Sequence, residues 1–411
     1  MRRVVVTGIG AVTPIGNNIK DMWESVKEGK CGIDKITHYD TTDRKITLAA
    51  EVKDLVVTDY IDKREARKMD LHTMYAMVAT KEAVEDSGIE FEKCNLDRCG
   101  VLVSTGIGGL GTIEAEDKKG FEKGFDRISP YYIPMSICNI TAGHIAIKYG
   151  LQGKCTSVVT ACASGTNAIG DAFVYIRDGY SEVMICGGTE ASIVSSGIGG
   201  FTSLKALSTA TDPSRASIPF DKERNGFVMG EGAGILILEE YEHAIKRGAK
   251  IYCEVVGYAS NCDAHHITAP LEDGSGAAKC MKFAMEDAKI SPCDIDYINA
   301  HGTSTPLNDK GETKAIKLAF KEHANKLMVS STKGMTGHLL GASGAVEGII
   351  TALSLDNEYV PATINYKLPD EECDLDIVPN EGRNVKINYA MSNSLGFGGH
   401  NASIVLKKYE G

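Results

Sequence analysis

Ser157-Val158-Val159-Thr160-Ala161-Cys162-Ala163-Ser164-Gly165-Thr166-Asn167-Ala168-Ile169-Gly170-Asp171-Ala172-Phe173 changes character at its middle. The residues before Ala161 are β-branched or hydroxyl-bearing, the composition of a strand. Past Cys162 the pattern becomes helical, with Ala168, Ile169, Ala172, Phe173 and Ile176 recurring on one face. A strand that turns into a helix through small residues is the repeating unit of an α/β fold. Working outward, Val4-Val5-Val6-Thr7-Gly8 and Gly100-Val101-Leu102-Val103-Ser104-Thr105-Gly106 are further short runs closed by glycine. Runs this apolar, without alternation, predict strands buried on both faces, as in a parallel layer covered by helices. A helix is expected from about Lys68 to Ser87, with Gly88 as its C-cap.

The same outline occurs twice. Lys81-Glu82-Ala83-Val84-Glu85-Asp86 before Ile89 matches Lys282-Phe283-Ala284-Met285-Glu286-Asp287 before Ile290. Gly226-Phe227, Gly230 and Ile235-Leu236-Ile237-Leu238 match Gly396-Phe397, Gly399 and Ile404-Val405-Leu406. Chance likeness between two α/β segments is the alternative; the matches together favour two related halves, 1–250 and 251–411. No linker rich in Pro, Ser or charge separates them, so the halves are expected to pack together.

Composition bounds the function. A chain of 411 residues with 43% hydrophobic and 24% charged residues has the makings of an ordinary globular core. A net charge of -11 argues against broad binding to nucleic acid or anionic membrane. Met1-Arg2-Arg3-Val4-Val5-Val6 could open a signal peptide, but Gly8, Gly10, Pro14 and Gly16 break the run. No stretch approaches the roughly 18 apolar residues of a membrane helix, so a cytoplasmic location is expected. The 12 cysteines are scattered without a Cys-x-x-Cys pair, and only His265 and His266 are adjacent. Most cysteines are expected reduced and buried, and a metal is not expected.

Cys162 would sit at a helix N-terminus, where the dipole and free amides favour thiolate. Small neighbours would let a carbonyl approach both sulfur and backbone N–H groups, a layout similar to the nucleophile elbow of hydrolases. On its own such a cysteine more commonly reads as structural, so its partners matter. Asp296-Tyr297-Ile298-Asn299-Ala300-His301-Gly302-Thr303-Ser304-Thr305-Pro306 sets His301 just past a strand. Ser330-Ser331-Thr332-Lys333-Gly334-Met335-Thr336-Gly337-His338-Leu339-Leu340-Gly341-Ala342-Ser343-Gly344-Ala345 sets His338 in a glycine-rich turn leading to a helix. Two imidazoles can donate to one thioester oxygen as charge develops. Lys333 could orient them and Glu347 could pair with Lys333; a purely structural ion pair is equally open. In Ser392-Asn393-Ser394-Leu395-Gly396-Phe397-Gly398-Gly399-His400-Asn401, unshielded amides could serve an oxyanion and Phe397 could gate a pocket, unless this is a plain hairpin with a core Phe. Gly106-Ile107-Gly108-Gly109-Leu110-Gly111 satisfies the dinucleotide pattern, yet no strand ending in an acidic residue follows about 20 positions on.

With these pieces located, the chain resembles the β-ketoacyl-acyl-carrier-protein synthases, most of all the elongating type II enzymes of bacterial fatty-acid synthesis. The likeness runs from Val5, Thr7-Gly8-Ile9-Gly10 to Gly398-Gly399-His400-Asn401. It is carried by Thr160-Ala161-Cys162-Ala163-Ser164-Gly165, by Pro219-Phe220-Asp221 with Gly226-Phe227-Val228-Met229-Gly230-Glu231-Gly232-Ala233-Gly234, by Asn299-Ala300-His301-Gly302-Thr303-Ser304-Thr305-Pro306, and by Lys333 with Gly337-His338. The resemblance implies a thiolase fold: two related βαβαβαββ halves in α-β-α-β-α layers. It implies a homodimer and, as partners, acyl-acyl carrier protein and malonyl-acyl carrier protein. By the same resemblance Cys162 accepts the acyl chain, His301 and His338 assist decarboxylation of the malonyl unit, and the amides of Cys162 and Phe397 form the oxyanion hole. Thr268, Thr303 and Thr305 match positions that meet the phosphopantetheine arm, and Ile107 one at the acyl-pocket floor. Gly398 belongs to the loop beside Phe397 and is counted with the substrate-binding positions. No redox cofactor or catalytic metal is required. Polyketide-type relatives commonly show Asp-Thr-Ala-Cys-Ser-Ser around the nucleophile, where this chain has Val159-Thr160-Ala161-Cys162-Ala163-Ser164. His400 stands where many relatives carry threonine.

An acidic carrier protein needs a basic landing site. Lys63, Arg64, Arg67 and Lys68 are spaced to share one side of a helix, and Arg127 and Lys205 could extend the patch. Two other classes are carried forward: a non-catalytic chain-length subunit of the same fold, and an NAD-dependent oxidoreductase built on Gly106 to Gly111.

Overall fold

Side chains of a strand alternate between two faces, and here both faces are apolar. Leu102, Met184, Leu236 and Leu238 belong to one buried cluster, while their neighbours Val101, Val103, Ile185, Ile235 and Ile237 belong to another. The computed structural model describes all 411 residues. Its main sheet has ten strands: β1 (Val4–Val12), β2 (Cys99–Ser104), β3 (Cys155–Thr156), β4 (Val183–Glu190), β5 (Gly232–Glu240), β6 (Cys253–Cys262), β7 (Tyr297–Asn299), β8 (Met328–Ser330), β9 (Tyr389–Gly396) and β10 (His400–Lys408).

Their order is β8-β7-β9-β10-β6-β1-β5-β4-β2-β3. From the antiparallel β1–β6 seam, the two flanks run identically: antiparallel β1–β5 and β6–β10, antiparallel β5–β4 and β10–β9, then parallel β4–β2–β3 and β9–β7–β8. The sheet is therefore mixed rather than the parallel layer that the apolar runs suggest. The short link between β9 and β10 can only return the chain antiparallel.

Helices α1 (Leu71–Ser87) and α2 (Ile140–Tyr149) cover one flank, and α4 (Ser275–Ala288) and α5 (Pro306–Phe320) the other, with α3 (Ser164–Arg177) and α6 (Ser343–Asn357) between the flanks. The central cluster takes Ile169, Phe173 and Ile176 from α3, Val346, Ile349 and Leu353 from α6, and strand residues from both flanks. This is the α-β-α-β-α layering of the thiolase fold. Glycine lets the layers close: a Cβ on Gly10 of β1 would lie 2.0 Å from the Ala79 carbonyl oxygen of α1. Its counterpart on Gly257 of β6 would lie 2.3 Å from the Ala284 carbonyl oxygen of α4. No helix is long and apolar enough to cross a membrane.

Two local expectations are corrected. Helix α1 starts at Leu71 rather than near Lys68, because the Asp70 side chain accepts from the His72 N–H and caps it; Gly88 ends it in the left-handed region, as expected. The run Ser157 to Thr160 is not a strand: β3 stops at Thr156 on the sheet edge, and Val159 is 49% exposed. There the chain leaves the sheet and rises toward Cys162.

Candidate active site

Cys162 occupies a single 3-10 turn, Ala161–Ala163, that runs directly into α3. The bend is held from within. The Thr160 N–H donates to Ser164 Oγ at 2.9 Å, and the Ser164 hydroxyl donates to the Ala161 carbonyl at 2.7 Å. Asn167 Nδ2 donates to Thr160 Oγ1 at 2.6 Å. Ala161 adopts φ +51°, a left-handed conformation that costs a non-glycine residue and persists where the surroundings enforce it. A Cβ on Gly396 would lie 3.3 Å from the Cys162 nitrogen, so that glycine lets the β9 end approach the nucleophile turn.

The sulfur is not the resting thiolate that the helix N-terminus suggests. Burial pushes the Cys162 thiol up to about 12, and the nearby Lys333 charge and the main-chain N–H of Phe397 pull it down only in part. Desolvation outweighs the favourable neighbours.

His301 follows β7 and is fixed through its main chain. The buried Glu312 carboxylate of α5 accepts the N–H groups of His301 and Gly302, each at 2.8 Å. The Lys333 ammonium donates to the His301 carbonyl at 2.5 Å and pairs with Glu347. His338 is held by its N–H on the Val228 carbonyl at 2.7 Å and by Ser343 Oγ on Nδ1 at 2.8 Å. A Ser343 hydroxyl donating to Nδ1 leaves the ring hydrogen on Nε2. The two imidazoles meet edge to face, centroids 5.2 Å apart at 86°. Burial and the Lys333 charge hold both well below the ordinary histidine value, so both are neutral near pH 7.

A cavity of about 410 Å³ is lined by His301, Thr303, Thr305, His338, Phe397 and Thr268, among others. Thr303 and Thr305 hydroxyls bond each other at 2.9 Å. Lys205, exposed and at φ +58°, stands at its edge. Cys162 and Ile107 are not on its wall. Both lie in an apolar cluster with Ile193, Ile198, Leu340 and Phe201, and the Phe201 and Phe397 rings are 6.2 Å apart. Gly398 does not face the cavity: its N–H is taken by the Ile267 carbonyl at 2.7 Å. His400 lies against Gly398, where an added Cβ would meet its ring at 3.0 Å.

The dinucleotide-like glycines have a packing reason. A Cβ on Gly109 would lie 2.1 Å from the Met135 carbonyl oxygen, and one on Gly106 2.8 Å from Glu190 Oε2. The basic group is also rearranged. Its helix is one turn, Lys63–Ala66, capped by Asp62, so the i, i+4 face does not form. Lys63, Arg64, Arg67 and Arg127 are exposed, while Lys68 is half-buried and pairs with Glu65 at 2.8 Å. Glu312 and Ser343 carried no sequence signal of their own, and Phe227, visible in the sequence only as part of the repeated Gly226-Phe227, packs its ring edge-on to His338 at 5.2 Å.

Comparison with known proteins agrees over the whole chain. Residues 1–244 match the family model for the β-ketoacyl synthase N-terminal domain, and residues 252–367 that for its C-terminal domain. The 3-oxoacyl-[acyl-carrier-protein] synthase 2 of Synechocystis sp. is 51% identical over 410 residues, covering 100% of this chain and 99% of the relative. That of Staphylococcus aureus (strain COL) is 52% identical over 409 residues with the same coverage. A solved type II PKS acyl-carrier protein in complex with its ketosynthase bound to the hexaketide matches at TM-score 0.91 and 36% identity, covering 100% of both chains. The ishigamide ketosynthase/chain length factor matches at TM-score 0.93 and 32% identity, covering 99% of both.

Proposed function

The chain belongs to the β-ketoacyl synthase family, and on that premise we propose that it elongates acyl chains on acyl carrier protein by decarboxylative Claisen condensation, as a 3-oxoacyl-[acyl-carrier-protein] synthase of type II. The observation that carries the reading is the pair of neutral imidazoles, His301 and His338, facing each other on a cavity lined also by Phe397 and by Gly396, which lies against the Cys162 main chain.

In the first half-reaction the Cys162 sulfur attacks the acyl carrier thioester. The carrier thiol leaves with the proton that the cysteine gives up, and the acyl group stays on Cys162. The N–H groups of Cys162 and Phe397 are suited to the oxyanion of the tetrahedral intermediate. In the second, a malonyl thioester loses carbon dioxide, and its carbonyl becomes an enolate oxygen that the two imidazole N–H groups stabilise. Neutral donors suit an enolate better than a strong base would. The enolate carbon attacks the acyl-Cys162 carbonyl, the carbon–sulfur bond breaks, and the departing Cys162 thiolate takes a proton from water to restore the weakly acidic thiol. Lys333 and Glu347 act behind the histidines by holding the His301 loop.

Thr268, Thr303 and Thr305 are proposed to meet the phosphopantetheine arm, and Ile107 to close the acyl pocket beside Cys162. Lys63, Arg64, Arg67, Arg127 and Lys205 are proposed to receive the acidic carrier protein, with Lys68 a lesser contributor because Glu65 already holds it. The matched order of the two sheet flanks supports related halves 1–250 and 251–411. The family resemblance supports a homodimer acting in the cytoplasm, and the large apolar side chains left exposed on this chain, Phe121 (81%) and Ile147 (82%) among them, are available to a second copy.

Incubation with an acyl carrier thioester should add one acyl group at Cys162 by intact mass. Malonyl carrier protein should then release a 3-oxoacyl product two carbons longer. A non-catalytic chain-length subunit would gain no adduct.

A further inference from the structure

Glu190 ends β4 wholly buried, and neutral donors meet both of its carboxylate oxygens. Oε1 accepts from the hydroxyls of Thr105 and Ser192, both at 3.0 Å. Oε2 accepts from the main-chain N–H groups of Gly106 at 2.8 Å and Gly341 at 3.0 Å. A neutral amide in its place has one oxygen, and its NH₂ would confront two of the four donors.

The donors belong to segments that wall the nucleophile. Gly106 and Gly341 approach so closely that a Cβ on Gly341 would lie 2.1 Å from the Gly106 nitrogen. Ile107 follows Gly106, and the next N–H, of Gly108, donates to the same Thr105 hydroxyl at 3.1 Å. Leu340 precedes Gly341 in a left-handed conformation, φ +49°, which an aliphatic side chain keeps only when its neighbours are pinned. Both Ile107 and Leu340 pack in the apolar cluster that holds Cys162.

We propose that Glu190 is the positioning residue of the acyl pocket: by gathering the Thr105–Gly106 turn and the Gly341 turn on one carboxylate, it fixes Ile107 and Leu340 against Cys162 and so sets the length of chain that the pocket accepts. This rests on the condensing reading above. A local cluster without this role would require only that the three segments pack. A chain-length role requires in addition that loosening them changes long and short substrates unequally.

The test is acylation of Cys162 in the full-length protein, followed by intact mass, with short-, medium- and long-chain acyl carrier thioesters. Glu190→Gln should shift the ratio of long- to short-chain loading by about tenfold, the scale of one buried hydrogen bond lost. Thr105→Val, which removes one donor to Glu190 and the acceptor of the Gly108 N–H while keeping the carboxyl group, should shift the ratio in the same direction by less, and it decides the matter if Glu190→Gln does not fold. A ratio unchanged in the folded variants, or a uniform loss at every chain length, overturns the proposal while wild-type loading leaves the condensing reading standing. Wild-type protein that takes no acyl group at Cys162 overturns both.

Discussion

The Lys333 ammonium donates to the main-chain carbonyl of His301 and to Glu347, and to neither imidazole ring. It therefore acts on the histidines at a distance, as a fixed positive charge that depresses both, and on the His301 loop directly, as a peg.

Removing that peg should leave the buried Glu347 carboxyl, which burial already pushes up to about 7 with Lys333 beside it, without its partner. Lys333→Met is expected to cost about 3 kcal/mol of unfolding free energy, and the double change with Glu347→Leu should recover much of it. Chemical denaturation of the two variants checks this; equal stability of single and double variants would contradict it.

The active-site variants should separate the two half-reactions. Cys162→Ala should abolish condensation and leave no acyl adduct. His301→Ala and His338→Ala should each slow malonyl decarboxylation by about a hundredfold or more, the scale of one lost oxyanion donor, and slow acyl loading much less. Normal decarboxylation in both histidine variants would mean the roles are misassigned.

The pH dependence of sulfur reactivity follows from burial. Below its pKa a thiol supplies thiolate in a fraction that rises tenfold per pH unit. With the Cys162 value raised to about 12, its alkylation by iodoacetamide should climb through pH 7 to 9 without levelling. A plateau below pH 8 would mean that the sulfur is far more acidic than its surroundings allow.

Carrier docking should be electrostatic. Charge reversal at Lys63 and Arg67 is expected to raise the apparent KM for acyl carrier protein at low salt and to spare small acyl thioesters. Unchanged KM at low ionic strength would eliminate the docking role.

The fold class was legible because burial on both sheet faces leaves unbroken β-branched runs, and because glycine marks where a helix backbone meets a strand, as Gly10 meets Ala79. His301, His338 and Phe397 could be picked out because each sits in a short glycine or hydroxyl-rich loop, and Thr303 and Thr305 through the family resemblance; all five converge on one cavity. What could not be read was anything set by contact between distant segments. Glu312 looks like any helical glutamate until the turn carrying His301 folds onto it. The sulfur's low acidity is hidden for the same reason: the helix end is visible in sequence, and the depth at which it lies is not. The spacing of Lys68 fits an open helix face, and only the geometry shows that the helix capped by Asp62 ends at Ala66, before reaching it.

Burial of the Cys162 sulfur has a bearing on survival under oxidative conditions. Peroxide attacks thiolates, not thiols, and does so where solvent can deliver it. A side chain 8% exposed and held in its protonated form presents neither. Between turnovers a sulfur so placed is shielded from such oxidants by the protein's own interior.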